Sequence, residues 1–174
     1  MMVARRWFCV LALWGLIAQP SHAETKIHFT GNLIAGTCNL VVTGDNLAEV
    51  VFPPISANTL TARRQSDPVP FSVQLNDCAA SVKGGVAVAF SGTEVSGMSG
   101  FLALSGQSAA KGIGIGIETQ AGTQVRVNGT TGTVFTLTEG LNTLNFNAWI
   151  QAINGETVTP GTFFATTTVA FEYL

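Results

Sequence analysis

Apolar and polar residues alternate one for one near both ends of this chain. Ile27-His28-Phe29-Thr30-Gly31-Asn32-Leu33 precedes Cys38, and Thr167-Thr168-Val169-Ala170-Phe171-Glu172-Tyr173 runs up to Leu174. Residues two apart share a face of an extended strand, so each segment reads as a β-strand with one apolar side. Thr25, Ile27, Phe29, Gly31 and Leu33 fall on one face of the first segment; Thr167, Val169, Phe171 and Tyr173 share a face of the second. An edge strand presents unpaired N–H and C=O groups, which is a template for one more strand. Two readings are open at this point. The first segment is a strand of the chain's own sheet, or it pairs with another molecule.

Between these ends no long stretch repeats with the period of a helix, whereas period-two alternation recurs. Strands are expected over 33–42, 49–52, 69–78, 82–90, 101–104, 125–127, 134–138, 142–151 and 163–173. In 69–78, Phe71, Val73 and Leu75 face one way and Ser72, Gln74 and Asn76 the other. Residues 57–66 allow a helical turn, Asn154-Gly155 is a hairpin signal, and Pro160-Gly161 marks another turn. Gly112-Ile113-Gly114-Ile115-Gly116-Ile117 lacks the spacing of a phosphate-binding loop. It reads as a strand whose isoleucines enter the core while its glycines admit a close neighbour on the other face. Many short strands separated by turns predict an all-β sandwich of immunoglobulin-like architecture.

Export is expected. Arg5-Arg6, the apolar run 7–18 and Ser21-His22-Ala23 form a secretory leader over 1–23, too short in its apolar part to span a bilayer. Removing 23 of 174 residues leaves 151, enough for one domain. Six basic and ten acidic residues remain, so no basic patch is available for nucleic acid or anionic lipid. Cys9 leaves with the leader, and Cys38 and Cys78 are then an even pair in an oxidising compartment, predicting a disulfide. Free thiols or a metal pair are the rivals, and no histidine lies near enough in sequence to complete a zinc site.

Catalysis finds little support. His28 is the one histidine after the leader, and Asp67, Asp77, Glu94, Glu118 and Glu139 are scattered without a telling spacing. No positioned base stands beside a nucleophile, so neither a catalytic site, a cofactor nor a metal is expected. Asn128-Gly129-Thr130 matches a glycosylation sequon and reads as a polar turn. Trp149, the one tryptophan after the leader, is assigned to the core.

The chain resembles subunits of chaperone–usher pili, in particular those of the type 1 family. The matching features are the leader, 27–31 before Cys38, and Pro68-Val69-Pro70-Phe71-Ser72-Val73-Gln74-Leu75-Asn76-Asp77-Cys78. The glycine-isoleucine strand, Asn142-Thr143-Leu144-Asn145-Phe146 and the penultimate tyrosine match as well. The resemblance implies a sandwich lacking its final strand, with residues 24–34 as a donor extension and 35–174 as the pilin domain. It implies that Thr25, Ile27, Phe29, Gly31 and Leu33 insert into a neighbouring subunit, Gly31 standing where a side chain would clash. Thr167, Val169, Phe171, Tyr173 and Leu174 would line this subunit's own groove and meet a periplasmic chaperone. An outer-membrane usher is the other implied partner, and a fimbrium on the cell surface the destination. Only Glu24-Thr25-Lys26 precede the stripe, a short extension that fits a minor subunit. The rival functions are a receptor-binding tip subunit and a secreted carbohydrate-binding sandwich.

Overall fold

A computed structural model describes residues 38–41, 49–80 and 84–174, all within one compact unit, Ile34–Leu174. The leader and the five donor-strand candidates, Thr25, Ile27, Phe29, Gly31 and Leu33, lie outside the described residues. In chain order the elements are β1 (Asn39–Val41), α1 (Ala57–Arg63), β2 (Val69–Cys78), β3 (Val86–Ser91), β4 (Glu94–Val95) and β5 (Met98–Leu102). They continue with β6 (Ile113–Thr119), β7 (Thr133–Phe135), β8 (Gly140–Ala152) and β9 (Thr168–Tyr173). One sheet has the order β1-β2-β8-β6-β5-β4 and the other β7-β3-β9. Every strand pair is antiparallel.

The alternation read from the sequence decides which side chains meet between the sheets. Val73, Leu75, Leu144, Phe146 and Ile150 of the larger sheet are buried, as are Val86, Val88 and Phe90 of the smaller. Phe146 is the hub, with ring centroids 5.4 Å from Phe71, 5.3 Å from Phe90 and 5.2 Å from Phe135. Edge-to-face and offset pairs of this kind are worth about 0.5–1.5 kcal/mol each beyond the area they bury. The disulfide forms between Cys38 and Cys78, 40 residues apart in sequence with Cα atoms 4.1 Å apart. Closing a loop of that length stabilises the fold by roughly 4 kcal/mol on the chain-entropy model.

The glycine-isoleucine strand behaves as expected. Ile113, Ile115 and Ile117 of β6 are buried, and Gly116 pairs directly with Trp149 on β8. A Cβ at Gly116 would overlap the indole ring. Trp149 is therefore not a core residue. Its neighbours Ala148 and Ile150 take the inward face, and parity puts Trp149 on the outer face of the sheet. There it sits edge-to-face with Phe101 at 5.8 Å and donates Nε1–H to Gln151 Oε1 at 3.2 Å.

Three other expectations fail for physical reasons. Residues 49–52 form no strand; Val50, Phe52 and Ile55 pack on the core as side chains of an irregular segment that runs into Pro53 and Pro54. Residues 125–127 make single contacts rather than a strand, since the chain is crossing between sheets. Val127 donates to the Gly100 carbonyl at 3.0 Å and Asn128 to that of Phe90 at 2.8 Å. Asn154-Gly155 turns the chain, with Gly155 at φ 80°, but joins no two paired strands. The chain returns beside Lys111 through Thr159. The sequon asparagine, at φ 54°, holds the Gly92 backbone with both side-chain atoms, at 3.1 and 2.8 Å.

Gly116→Val should lower unfolding stability by about 1–3 kcal/mol, the usual cost of overpacking. Urea unfolding of this variant and of the Gly116→Val/Trp149→Ala double variant checks it. The two costs should fall well short of additive, because the second substitution removes the atom that the first one strikes.

Candidate functional site

The smaller sheet has an uncovered margin. β3 pairs with both β7 and β9, whereas β9 pairs with β3 alone among the described residues. Val86 lies opposite Tyr173, Val88 opposite Phe171 and Phe90 opposite Val169. The N–H of Leu174 donates to the Gly85 carbonyl at 3.1 Å, which makes that position a hydrogen-bonded pair. Antiparallel pairs alternate between bonded and non-bonded. The backbone groups of Thr168, Ala170 and Glu172 therefore turn toward β3, and those of Val169, Phe171 and Tyr173 point outward.

The side chains of those outward-pointing residues face the core, yet none is fully covered. Val169, Phe171 and Tyr173 are half-buried along β9, while Val88 directly opposite is fully buried. Apolar side chains left half in water forfeit part of the roughly 1.5–3 kcal/mol that full burial of each provides. Thr167, also half-buried, continues the stripe and donates its hydroxyl to the Ser91 carbonyl at 3.0 Å.

Among the described residues the larger sheet also has a partly exposed leucine at its β1 edge. Leu40 of β1 lies directly opposite Leu75 of β2, and side chains opposite each other on an antiparallel pair point to one face. Leu75 is 0% exposed, whereas Leu40 remains 45% exposed.

Two contacts join segments that flank these edges. The Tyr173 hydroxyl donates to the Cys38 carbonyl at 3.4 Å, next to the disulfide. Phe52 and Phe163 approach to 5.7 Å. The chain end is held as well, because a side chain on Gly84 would collide with the Leu174 carbonyl. The structure thus sets Thr167, Val169, Phe171 and Tyr173 half-buried on one face of the β9 edge, with Tyr173 reaching Cys38 and Leu174 bonded to Gly85. Leu40 and Phe52 were missed; the alternation of Leu40 with its polar neighbour Asn39 was the available signal. Among the described residues no group of three histidine, cysteine or carboxylate side chains is arranged to hold a metal.

An edge with outward-facing backbone above half-buried apolar side chains has the form that one more extended strand could extend. The model of the family described as fimbrial protein matches residues 27–174. This chain belongs to the fimbrial protein family. It is 46% identical over 152 residues to the uncharacterized fimbrial-like protein YfcP of Escherichia coli, covering 87% of this chain and 85% of that one. It is 31% identical over 150 residues to the S-fimbrial protein subunit SfaA of Escherichia coli, covering 84% and 82%. The crystal structure of the P pilus rod subunit PapA superposes with a TM-score of 0.68 at 26% identity, covering 79% of this chain and 99% of that chain. As a fimbrial protein the chain is a structural subunit and not an enzyme.

Tyr173→Phe should cost about 0.5–1.5 kcal/mol, the net worth of one hydrogen bond. Thermal unfolding of the two proteins side by side measures it; no loss would show that the Cys38 contact contributes nothing to stability.

Proposed function

We propose that the subunit joins its fimbria by strand exchange. Residues 24–34 of one copy enter the groove between β1 and β9 of the next, with Ile27, Phe29 and Leu33 filling it. The observation that carries this reading is the outward-facing backbone of Val169, Phe171 and Tyr173 beneath half-covered side chains. Backbone hydrogen bonds supply affinity in such strand addition, and pockets for alternate side chains set the register. Burying Ile27, Phe29 and Leu33 would yield about 5–9 kcal/mol gross, before ordering costs. Gly31 suits a position where the strand passes too close to the groove wall for a side chain.

A subunit with this cleft unfilled exposes apolar surface and an edge at once, a combination that favours aggregation. A periplasmic chaperone that lends a strand until the next subunit arrives, and an outer-membrane usher that passes subunits to the surface, fit that need. The short stretch ahead of Ile27 favours a minor subunit.

Appending a second copy of residues 24–34 after Leu174 through a flexible linker should fill the groove in cis. The expected product is a monomer stabilised by several kcal/mol, read by urea unfolding and sedimentation. Should the unmodified subunit prove equally stable alone, the groove is not a vacancy. Gly31→Trp is expected to cut fibre yield at least about tenfold while leaving the groove able to accept a wild-type donor. Equal yield in electron micrographs would exclude Gly31 from the insertion.

A further inference from the structure

Backbone also goes unpaired on the far side of the sandwich from this groove. β8 runs for 13 residues and β6 for only 7, and their pairing stops at Thr119 opposite Phe146. A tight turn ends β6. Gly122 donates to the Thr119 carbonyl at 2.9 Å and Thr119 to that of Thr123 at 2.9 Å, so the chain folds back along the other flank of β6. Ile153 donates to the Gly112 carbonyl at 2.9 Å, which fixes the phase: odd-numbered residues of β8 aim their backbone toward β6. Past the end of β6, Leu141, Thr143 and Asn145 keep that direction. Their N–H and C=O groups meet no partner among the described residues.

A hollow of about 490 Å³ opens beside them, lined by Thr119, Gln120, Ala121, Phe135, Thr143 and Asn145. No charged side chain lines it. Nor does the edge carry the usual guards: residues 141–145 contain no proline or lysine, and Leu141 is 60% exposed.

We propose that this notch is a second strand-addition site, which takes an extended, uncharged segment of a neighbouring subunit in the fibre. Donor and acceptor groups recurring at every second residue match the repeat of another extended peptide. The neutral hollow accepts an apolar or hydroxyl side chain and leaves a charged one desolvated without a partner. The identity of the occupant rests on the fibre assembly proposed above; the notch itself is separate from the β1–β9 groove.

Hydrogen exchange of the 140–146 segment, followed by mass spectrometry, tests this in the monomer carrying the appended donor strand and in assembled fibres. The expected result is rapid exchange at Leu141, Thr143 and Asn145 in the monomer and exchange slowed by about 100-fold or more in the fibre. Thr143→Pro removes an N–H that faces the notch, and its fixed φ costs the monomer some stability; its folded monomer should still accept the appended strand while its fibres lose the protection, and Thr143→Val, which keeps the N–H, should retain it. Fibres whose 140–146 segment exchanges as fast as in the monomer overturn the notch and leave strand exchange standing. A failure to form fibres at all overturns the assembly reading and this occupant with it. Protection already present in the monomer would assign the notch to a segment of the same chain, which also overturns the proposal.

Discussion

The pairing of β9 with a single neighbour among the described residues governs the rest of this molecule. A strand hydrogen-bonded on one flank must still satisfy the other, and water does so only at the expense of leaving the apolar side chains beneath it wet. Val169, Phe171 and Tyr173 carry both problems at once: their backbone faces out and their side chains face in. One inserted strand would solve both. Local repacking cannot, because a row of backbone donors and acceptors is met only by another row.

The remainder of the fold is organised to keep that cleft open rather than let it collapse. The disulfide holds β1 against the end of β2, which prevents the short edge strand from folding inward over the core. Phe146 and its three aromatic neighbours make the centre of the sandwich rigid. On the outer face, Trp149 fills the space above Gly116 and stiffens the sheet where β6 offers no side chain of its own. A close-packed interior resists small rearrangements, so the margins stay apart.

Much of this was legible before any coordinates were in hand. The limits of β2 and the inward set Phe71, Val73 and Leu75 followed from strict alternation, and so did the isoleucine-in, glycine-out arrangement of β6. The cysteine pairing followed from parity and compartment. The failures share a cause, which is tertiary context. Residues 125–127 alternate like a strand, yet they are spent crossing from one sheet to the other. Trp149 has the hydrophobicity of a core residue and the parity of a surface one, and parity prevailed. Leu40 is an ordinary leucine in sequence; only its position opposite Leu75 at an uncovered edge gives it a role. The segment proposed as donor, 24–34, whose alternation was the clearest in the chain, lies outside the described residues.

Gly84 carries a consequence well beyond its own position. By leaving room for the Leu174 carbonyl it lets the chain end dock at one place, and the Leu174–Gly85 hydrogen bond then locks β9 against β3 in one alignment. Sliding β9 by a single residue would rotate Thr168, Ala170 and Glu172 into the cleft. A carboxylate would then stand where phenylalanine belongs, and no apolar strand could seat there. A residue with no side chain, 90 positions before Leu174, thus leaves the space in which that alignment, apolar face inward, comes to its end.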